Sequence, residues 1–189
     1  MYNLVIIGEM GSGKNYIMDK CIERYDIEKI VTDCTRPIRN GEKNGVDYNF
    51  LTKEEFLDKL ENGGYIEYQK YDTVHGSWYY GTNTDSIKKD NTVIILDKDG
   101  YLAYKEHVPN CIGIFLSCID ETERFYKSIK RLNDCNMKDV DEVYRRIKKD
   151  EEKFKDIHDL VDFVIPQTYN ETTINMVFDI LDRIGFKKR

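Results

Sequence analysis

Gly8-Glu9-Met10-Gly11-Ser12-Gly13-Lys14-Asn15 stands between an apolar run at residues 4–7 and a stretch of helical spacing from Tyr16 to about Tyr25. A strand that turns through glycines into a helix confines the chain to layered α/β folds. It also defines a chemistry. Glycines let backbone N–H groups converge on an anion, and the helix N-terminus adds partial positive charge. Lys14 adds a full charge where the β and γ phosphates of a nucleotide would lie. With Gly and Lys each near 7% of residues, such a pattern arises at roughly 2 in 100,000 starting positions. The Ser or Thr that usually follows the lysine and binds Mg²⁺ is Asn15 here. A carboxamide oxygen can ligate Mg²⁺ or hold one of its waters, with a different reach.

Three further apolar runs, at 93–96, 112–116 and 163–165, join the first as buried strands. Each is nearly continuous rather than alternating, as expected of parallel strands covered on both faces. Val140, Val143, Tyr144, Ile147, Phe154 and Ile157 repeat at helical spacing, as do Ile174, Val177, Leu181 and Ile184. The expected fold is therefore α/β with a parallel central sheet in three layers. Residues 33–86 break the rhythm: they are rich in Gly, Asn, Tyr and charge, with one helix-like piece at 52–60. Their many aromatic residues argue for an inserted subdomain rather than a disordered linker.

A net charge of −6 argues against broad nucleic-acid binding, which needs a basic face, but not against a small polyanion. No apolar run approaches the roughly 18–20 residues of a membrane span, and no basic, signal-like start precedes the first strand. The five cysteines, Cys21, Cys34, Cys111, Cys118 and Cys135, form no C-x-x-C pair and read as free thiols of a reducing cytoplasm. His75, His107 and His158 are isolated and read as surface or structural residues.

Thr35 to Phe50 follow T-R-x-x-R-x-x-E-x-x-G-x-D-Y-x-F. Two arginines three apart with a tyrosine beyond suit a phosphate monoester, offering two bidentate forks and a phenol. Together with the glycine turn, Glu67, Tyr79-Tyr80-Gly81-Thr82 and Asp97-Lys98-Asp99, this run resembles the guanylate kinase family over most of the chain.

The resemblance implies a P-loop NTPase fold with a GMP-binding subdomain at 33–86 and a helical lid at about 124–146. It implies transfer of the γ-phosphoryl group of ATP, with Mg²⁺, to GMP or dGMP. Arg36, Arg39, Tyr48 and Tyr80 would hold the acceptor phosphate, with Glu42 and Gly81 in the same site. Glu67 would accept from the guanine N–H groups, with Thr32 and Thr82 framing the base. Of Asp97 and Asp99, one would contact guanine and the other a Mg²⁺-bound water. Residues 8–15 would bind ATP together with Lys127 and Arg131 of the lid, and Gln167 stands where the family places an adenine-contacting asparagine. Lys14, Arg36, Arg131 and Arg146 are the implied catalytic charges, with Arg145 the neighbour alternative to Arg146. Such an enzyme would be a cytoplasmic monomer or homodimer working on small nucleotides, without nucleic-acid or membrane partners. Asn15, Lys127, Gln167 and the missing Gln of the family's D-x-x-Q-G mark a divergent member. Two other readings stay open: a kinase for another nucleoside monophosphate, and an inactive binding module of the same fold.

Overall fold

The computed structural model describes residues 2–73, 76–88, 91–134 and 140–189, with side chains at all of these except 87, 88, 131–134 and 142. His75 and Cys135 lie outside the described residues. The central sheet has five strands: β1 (Asn3–Gly8), β2 (Glu28–Lys29), β7 (Thr92–Ile95), β8 (Cys111–Cys118) and β9 (Phe163–Gln167). Their order is β2-β7-β1-β8-β9, and every pairing is parallel. All six residues of β1 are buried.

The strand period of two sorts the β1 side chains between two cores. Leu4 and Ile6 pack with Ile17, Met18 and Cys21 of α1 (Lys14–Arg24) and Ile174, Val177 and Leu181 of α6 (Glu171–Ile184). Val5 and Ile7 face the other way, onto Tyr101 and Tyr104 of α3 (Lys98–His107) and onto Phe154 and Ile157. Each side chain so buried contributes about 1.5–3 kcal/mol, so the helix–sheet–helix sandwich follows from one continuous apolar strand. Three layers around a parallel sheet are what the apolar runs predict. Phe154 and Ile157 reach the core from beyond a helix end, because α5 (Val140–Lys153) stops first and a short 3₁₀ turn at Ile157–Asp159 follows.

A second sheet lies between β2 and β7 in sequence. Its strands are β3 (Asp33–Cys34), β4 (Asn49–Phe50), β5 (Tyr65–Thr73) and β6 (Gly76–Asn83), in the order β4-β3-β6-β5. The long β5–β6 hairpin is antiparallel, with Glu67 opposite Thr82 and Gln69 opposite Tyr80. Helix α2 (Lys53–Glu61) covers one face. It opens with a capping box in which the Thr52 hydroxyl accepts from the Glu55 amide and the Glu55 carboxylate accepts from the Thr52 amide, at 3.1 and 2.7 Å. Phe56 then stacks on Tyr65 at 4.4 Å. Gly81 is required under that stack, because a Cβ there would meet Tyr65 Cδ1 at 2.7 Å and Phe56 Cζ at 2.9 Å. Helices α4 (Glu121–Asp134) and α5 follow β8 and pack on each other. Among the described residues no helix is long and apolar enough to cross a membrane.

Candidate active site

The site begins at the C-terminal end of β1, the central strand, where neighbouring strands β7 and β8 lead off to opposite sides. In open α/β sheets this is where ligands bind. The glycine turn leaves β1 here, and Lys14 opens α1. The Lys14 ammonium folds back across its own turn, donating to the carbonyls of Gly8 and Glu9 at 2.7 and 2.8 Å. Gly11 has φ +82° and presses on α4, where a Cβ would meet Ser128 Oγ at 2.7 Å and the Arg124 carbonyl at 2.9 Å. Both constraints exclude larger residues.

Buried side chains hold the turn from behind. Arg124 of α4 is 2% exposed. Its guanidinium pairs with Glu9 at 2.9 Å and Asp150 at 3.0 Å and donates to the Met10 carbonyl at 3.1 Å. Asp150 of α5 also accepts from the Met10 amide at 2.6 Å, and Glu9 accepts from the Cys118 amide at 3.1 Å. On the other side Gln167, at the end of β9, donates to the Ser12 carbonyl at 2.5 Å. Its Oε1 accepts from the Tyr169 amide at 2.8 Å and the Thr173 hydroxyl at 3.0 Å. Both ends of the Gln167 amide are thereby engaged within the protein.

Across the cleft, Arg36 extends from the end of β3. It is 3% exposed and makes a two-pronged pair with Glu42 at 2.7 and 2.6 Å. Glu42 also accepts from the Arg39 amide at 2.8 Å. Burial pushes the Glu42 carboxyl up, but Arg36 and Arg39 outweigh it and hold it below the usual range. The Arg36 guanidinium lies over Tyr48, 5.0 Å from the ring centroid, and Tyr48 meets Tyr80 edge-on at 5.8 Å. Arg36 is thus fixed by an acid and an aromatic wall before any ligand arrives.

Glu67 lies deeper, on β5, and is 7% exposed. Thr82, fully buried behind it on β6, donates its hydroxyl to Glu67 Oε1. Burial, with the nearby Asp97 charge adding to it, pushes the Glu67 carboxyl up to about 7. Asp97 caps α3, accepting from the Gly100 amide at 2.9 Å. Its other oxygen takes the Tyr71 hydroxyl and the Lys153 ammonium.

One cleft of about 320 Å³ runs between the turn and the second sheet. It gathers Gly8, Met10 and Lys14 from the turn, and Thr32, Arg36, Arg39, Tyr48, Glu67, Tyr80, Gly81 and Asp97 from across the cleft. Arg145, Arg146, Lys149, Asp150 and Lys153 of α5 close its third wall. Other expected site residues stand elsewhere. Glu42 and Thr82 back Arg36 and Glu67 rather than facing the cleft. Gln167, Glu9, Gly11, Ser12 and Gly13 form the turn and its brace. Asn15 is exposed on the first turn of α1. The Asp99 side chain is 59% exposed and pairs with Lys153 at 3.0 Å. Lys127 pairs with Glu123 at 3.3 Å and lies over the Tyr169 ring at 4.8 Å. The Arg131 side chain lies outside the described residues.

Sequence reading missed Tyr71, Lys149, Asp150, Lys153 and the bracing role of Arg124. Signals for most of them existed. Glu67, Gln69, Tyr71 and Thr73 alternate along β5 and all line the cleft. Arg146, Lys149, Asp150 and Lys153 share one helical face. Nothing local separates buried Arg124 from the exposed cations around it.

The parallel sheet, the glycine turn at its central strand and the opposing arginine pocket define a nucleotide phosphotransferase built on the P-loop NTPase fold. Relatives make the assignment specific. The profile of the family described as "Guanylate kinase" matches residues 1–183. A guanylate kinase of Fusobacterium nucleatum is 30% identical over 183 residues, covering 94% of each chain. One from Clostridium perfringens is 35% identical over 134 residues, covering 68% of this chain and 60% of its own. The crystal structure of guanylate kinase from Anaplasma phagocytophilum superposes with a TM-score of 0.71 at 26% identity, covering 98% of this chain and 87% of that one. The chain belongs to the guanylate kinase family, whose reaction is the ATP-dependent phosphorylation of GMP.

Proposed function

We propose that the protein transfers the γ-phosphoryl group of ATP to GMP or dGMP in the cleft between the glycine turn and the second sheet. An oxygen of the acceptor phosphate attacks the γ-phosphorus, and the bond to the β–γ bridging oxygen breaks, giving ADP and (d)GDP. The second ionisation of a phosphate monoester lies near 6, so the acceptor is already an anion at neutral pH and needs no strong general base. The work is electrostatic: two anions are brought in line and the charge on the group in flight is stabilised. Lys14 and the turn amides serve the donor phosphates. Arg36, Arg39, Tyr48 and Tyr80 serve the acceptor phosphate, and Arg146, with Arg131, serves the transferring group. Glu67 accepts from the two adjacent donors on guanine's Watson–Crick edge. Adenine offers a mismatched edge that would leave the Glu67 oxygen not held by Thr82 short of a donor.

Among the described residues no group of three or more His, Cys, Asp or Glu could hold a metal ion. Both Asp97 oxygens are engaged by protein donors. These residues fit a Mg²⁺ that would arrive with the nucleotide phosphates; Asn15, exposed on the first turn of α1 beside the cleft-lining Lys14, is the side chain that would hold it. Bound there, it would neutralise phosphate charge.

The observation that carries the reading is that Lys14, Arg36 and Glu67, each suited to a different part of the two nucleotides, line the same cleft. ADP release measured with GMP, dGMP, AMP, CMP and UMP as acceptors tests it. Turnover is expected with the guanine nucleotides, and Lys14→Ala should lower kcat on the order of 10³-fold. Turnover of AMP without GMP would refute the guanine assignment. No turnover with any acceptor would favour an inactive binding module.

A further inference from the structure

Lys153 is the last residue of α5, and its side chain is only 18% exposed. Its ammonium lies between two carboxylates, Asp97 and Asp99, and 5.5 Å from the Tyr71 ring centroid. Asp97 in turn neighbours Glu67. Asp97 Oδ1 and Glu67 Oε2 both lie 3.1 Å from the point a Cβ on Gly100 would occupy. Gly100 therefore lets two cleft carboxylates approach closely, and a cation from another element sits on one of them.

We propose that Lys153 is a positioning residue for the acceptor base: it neutralises Asp97 and so lets the adjacent Glu67 carry the negative charge that guanine recognition uses. This rests on reading Glu67 as the guanine acceptor. Two like charges this close in a buried site cannot both persist without a counter-charge. The titratable groups around Glu67 are Asp97 and Tyr104 from the α3 side and Tyr71 on its own strand, with Lys153 and Asp99 beyond Asp97. Thr82 contributes a neutral hydroxyl. Lys153 is the cation that α5 brings to this cluster. It also ties the helix carrying Arg145, Arg146 and Lys149 to the acceptor pocket.

The test follows GMP binding to the full chain through Trp78, which lines the cleft and is the chain's single tryptophan, from about pH 5.5 to 8.5. GMP's own ionisation contributes equally in every variant, so the difference between variants isolates the protein. Wild-type affinity should rise with pH as Glu67, held near 7 in the free protein, loses its proton. Lys153→Met should move the midpoint up by about one pH unit, weakening GMP about fivefold at pH 7 and about tenfold well below it, while affinity recovers at higher pH. Lys153→Arg should restore the wild-type midpoint. Asp97→Asn, which removes the charge that Lys153 screens, should lower the midpoint and make Lys153→Met silent when the two are combined.

Equal weakening at every pH by Lys153→Met would mean that the lysine only pins the helix end, and would overturn the proposal alone. If that variant fails to fold, an unmoved midpoint in Asp97→Asn would overturn it. Absence of any GMP response in the wild type, with another monophosphate bound, would overturn the guanine reading and the proposal together.

Discussion

At Gln167 the contacts within the protein bear on what one side chain can offer a ligand. The resemblance puts it where an adenine contact is expected, yet its amide is 3% exposed and satisfied at both ends by Ser12, Tyr169 and Thr173. One N–H of the Gln167 amide is held by the Ser12 carbonyl, which shapes the turn, and the second is buried with the side chain, so a base could reach it only by displacing the protein around it. A buried amide stripped of its partners costs about 1–3 kcal/mol, more than one new bond to adenine returns. These contacts favour the proposal that Gln167 braces the glycine turn rather than reading the donor base. Gln167→Ala should weaken ATP and GTP as donors by the same factor, about five- to thirtyfold in kcat/KM. Steady-state kinetics with both donors checks this, and a loss confined to ATP would return Gln167 to the adenine site.

At the scale of elements, the second sheet is held by one buried acid. Asp33 of β3, 1% exposed, accepts from Asn49 of β4 at 2.8 Å, Asn83 of β6 at 3.0 Å, Tyr65 of β5 at 2.9 Å and Lys59 of α2 at 2.8 Å. It thus joins all three other strands and the covering helix. Burial alone would raise its pKa, but these four donors outweigh that and hold it below the ordinary value of 3.8. A depressed carboxyl stabilises the fold above its unfolded pKa, and that contribution disappears as pH falls through the folded one. Asp33→Asn should cost about 2–4 kcal/mol at neutral pH, with the deficit relative to wild type shrinking as pH falls below the ordinary carboxyl value of 3.8. Chemical denaturation at both pH values measures it; a deficit independent of pH would mean that packing and not charge holds this hub.

This sheet is also where the sequence was hardest to read. The central strands announce themselves because both faces are covered, which makes their apolar runs continuous. Strand β5, Tyr-Ile-Glu-Tyr-Gln-Lys-Tyr-Asp-Thr over residues 65–73, is mostly polar, and β3 and β4 are two residues each. They form because Asp33 and the Phe56–Tyr65 stack knit them together, a tertiary cause that local periodicity does not carry. The site divides similarly. Lys14 and Arg36 were legible because glycine spacing and the arginine pair are local patterns, and Glu67 only through the family resemblance. The Asp97–Lys153 contact was not, because it joins residues 56 positions apart in sequence.

The whole molecule carries a charge of −6 yet takes two polyanions as its proposed substrates. It does so by concentrating cations from three parts of the chain in one cleft: Lys14 from the turn, Arg36 and Arg39 from the second sheet, and Arg145, Arg146 and Lys149 from α5. These walls are mechanically linked. Arg124 and Asp150 join the turn to α4 and α5, and Lys153 joins α5 to the acceptor pocket. A ligand that touches only one wall neutralises part of this charge. A ligand that spans the cleft, adenosine and guanosine joined 5′ to 5′ by an oligophosphate, should neutralise all three and tie them together. At a hundredfold excess over its Kd, binding adds about 2.7 kcal/mol to stability, or about 5–10 °C in Tm for a chain of this size. At equal concentration the spanning ligand should raise Tm more than GMP or ATP alone, because its second half binds at a high effective concentration once the first is in place. Differential scanning fluorimetry reads the comparison directly. A spanning ligand no better than its stronger half would mean that the turn and the arginine pocket do not bind two nucleotides end to end.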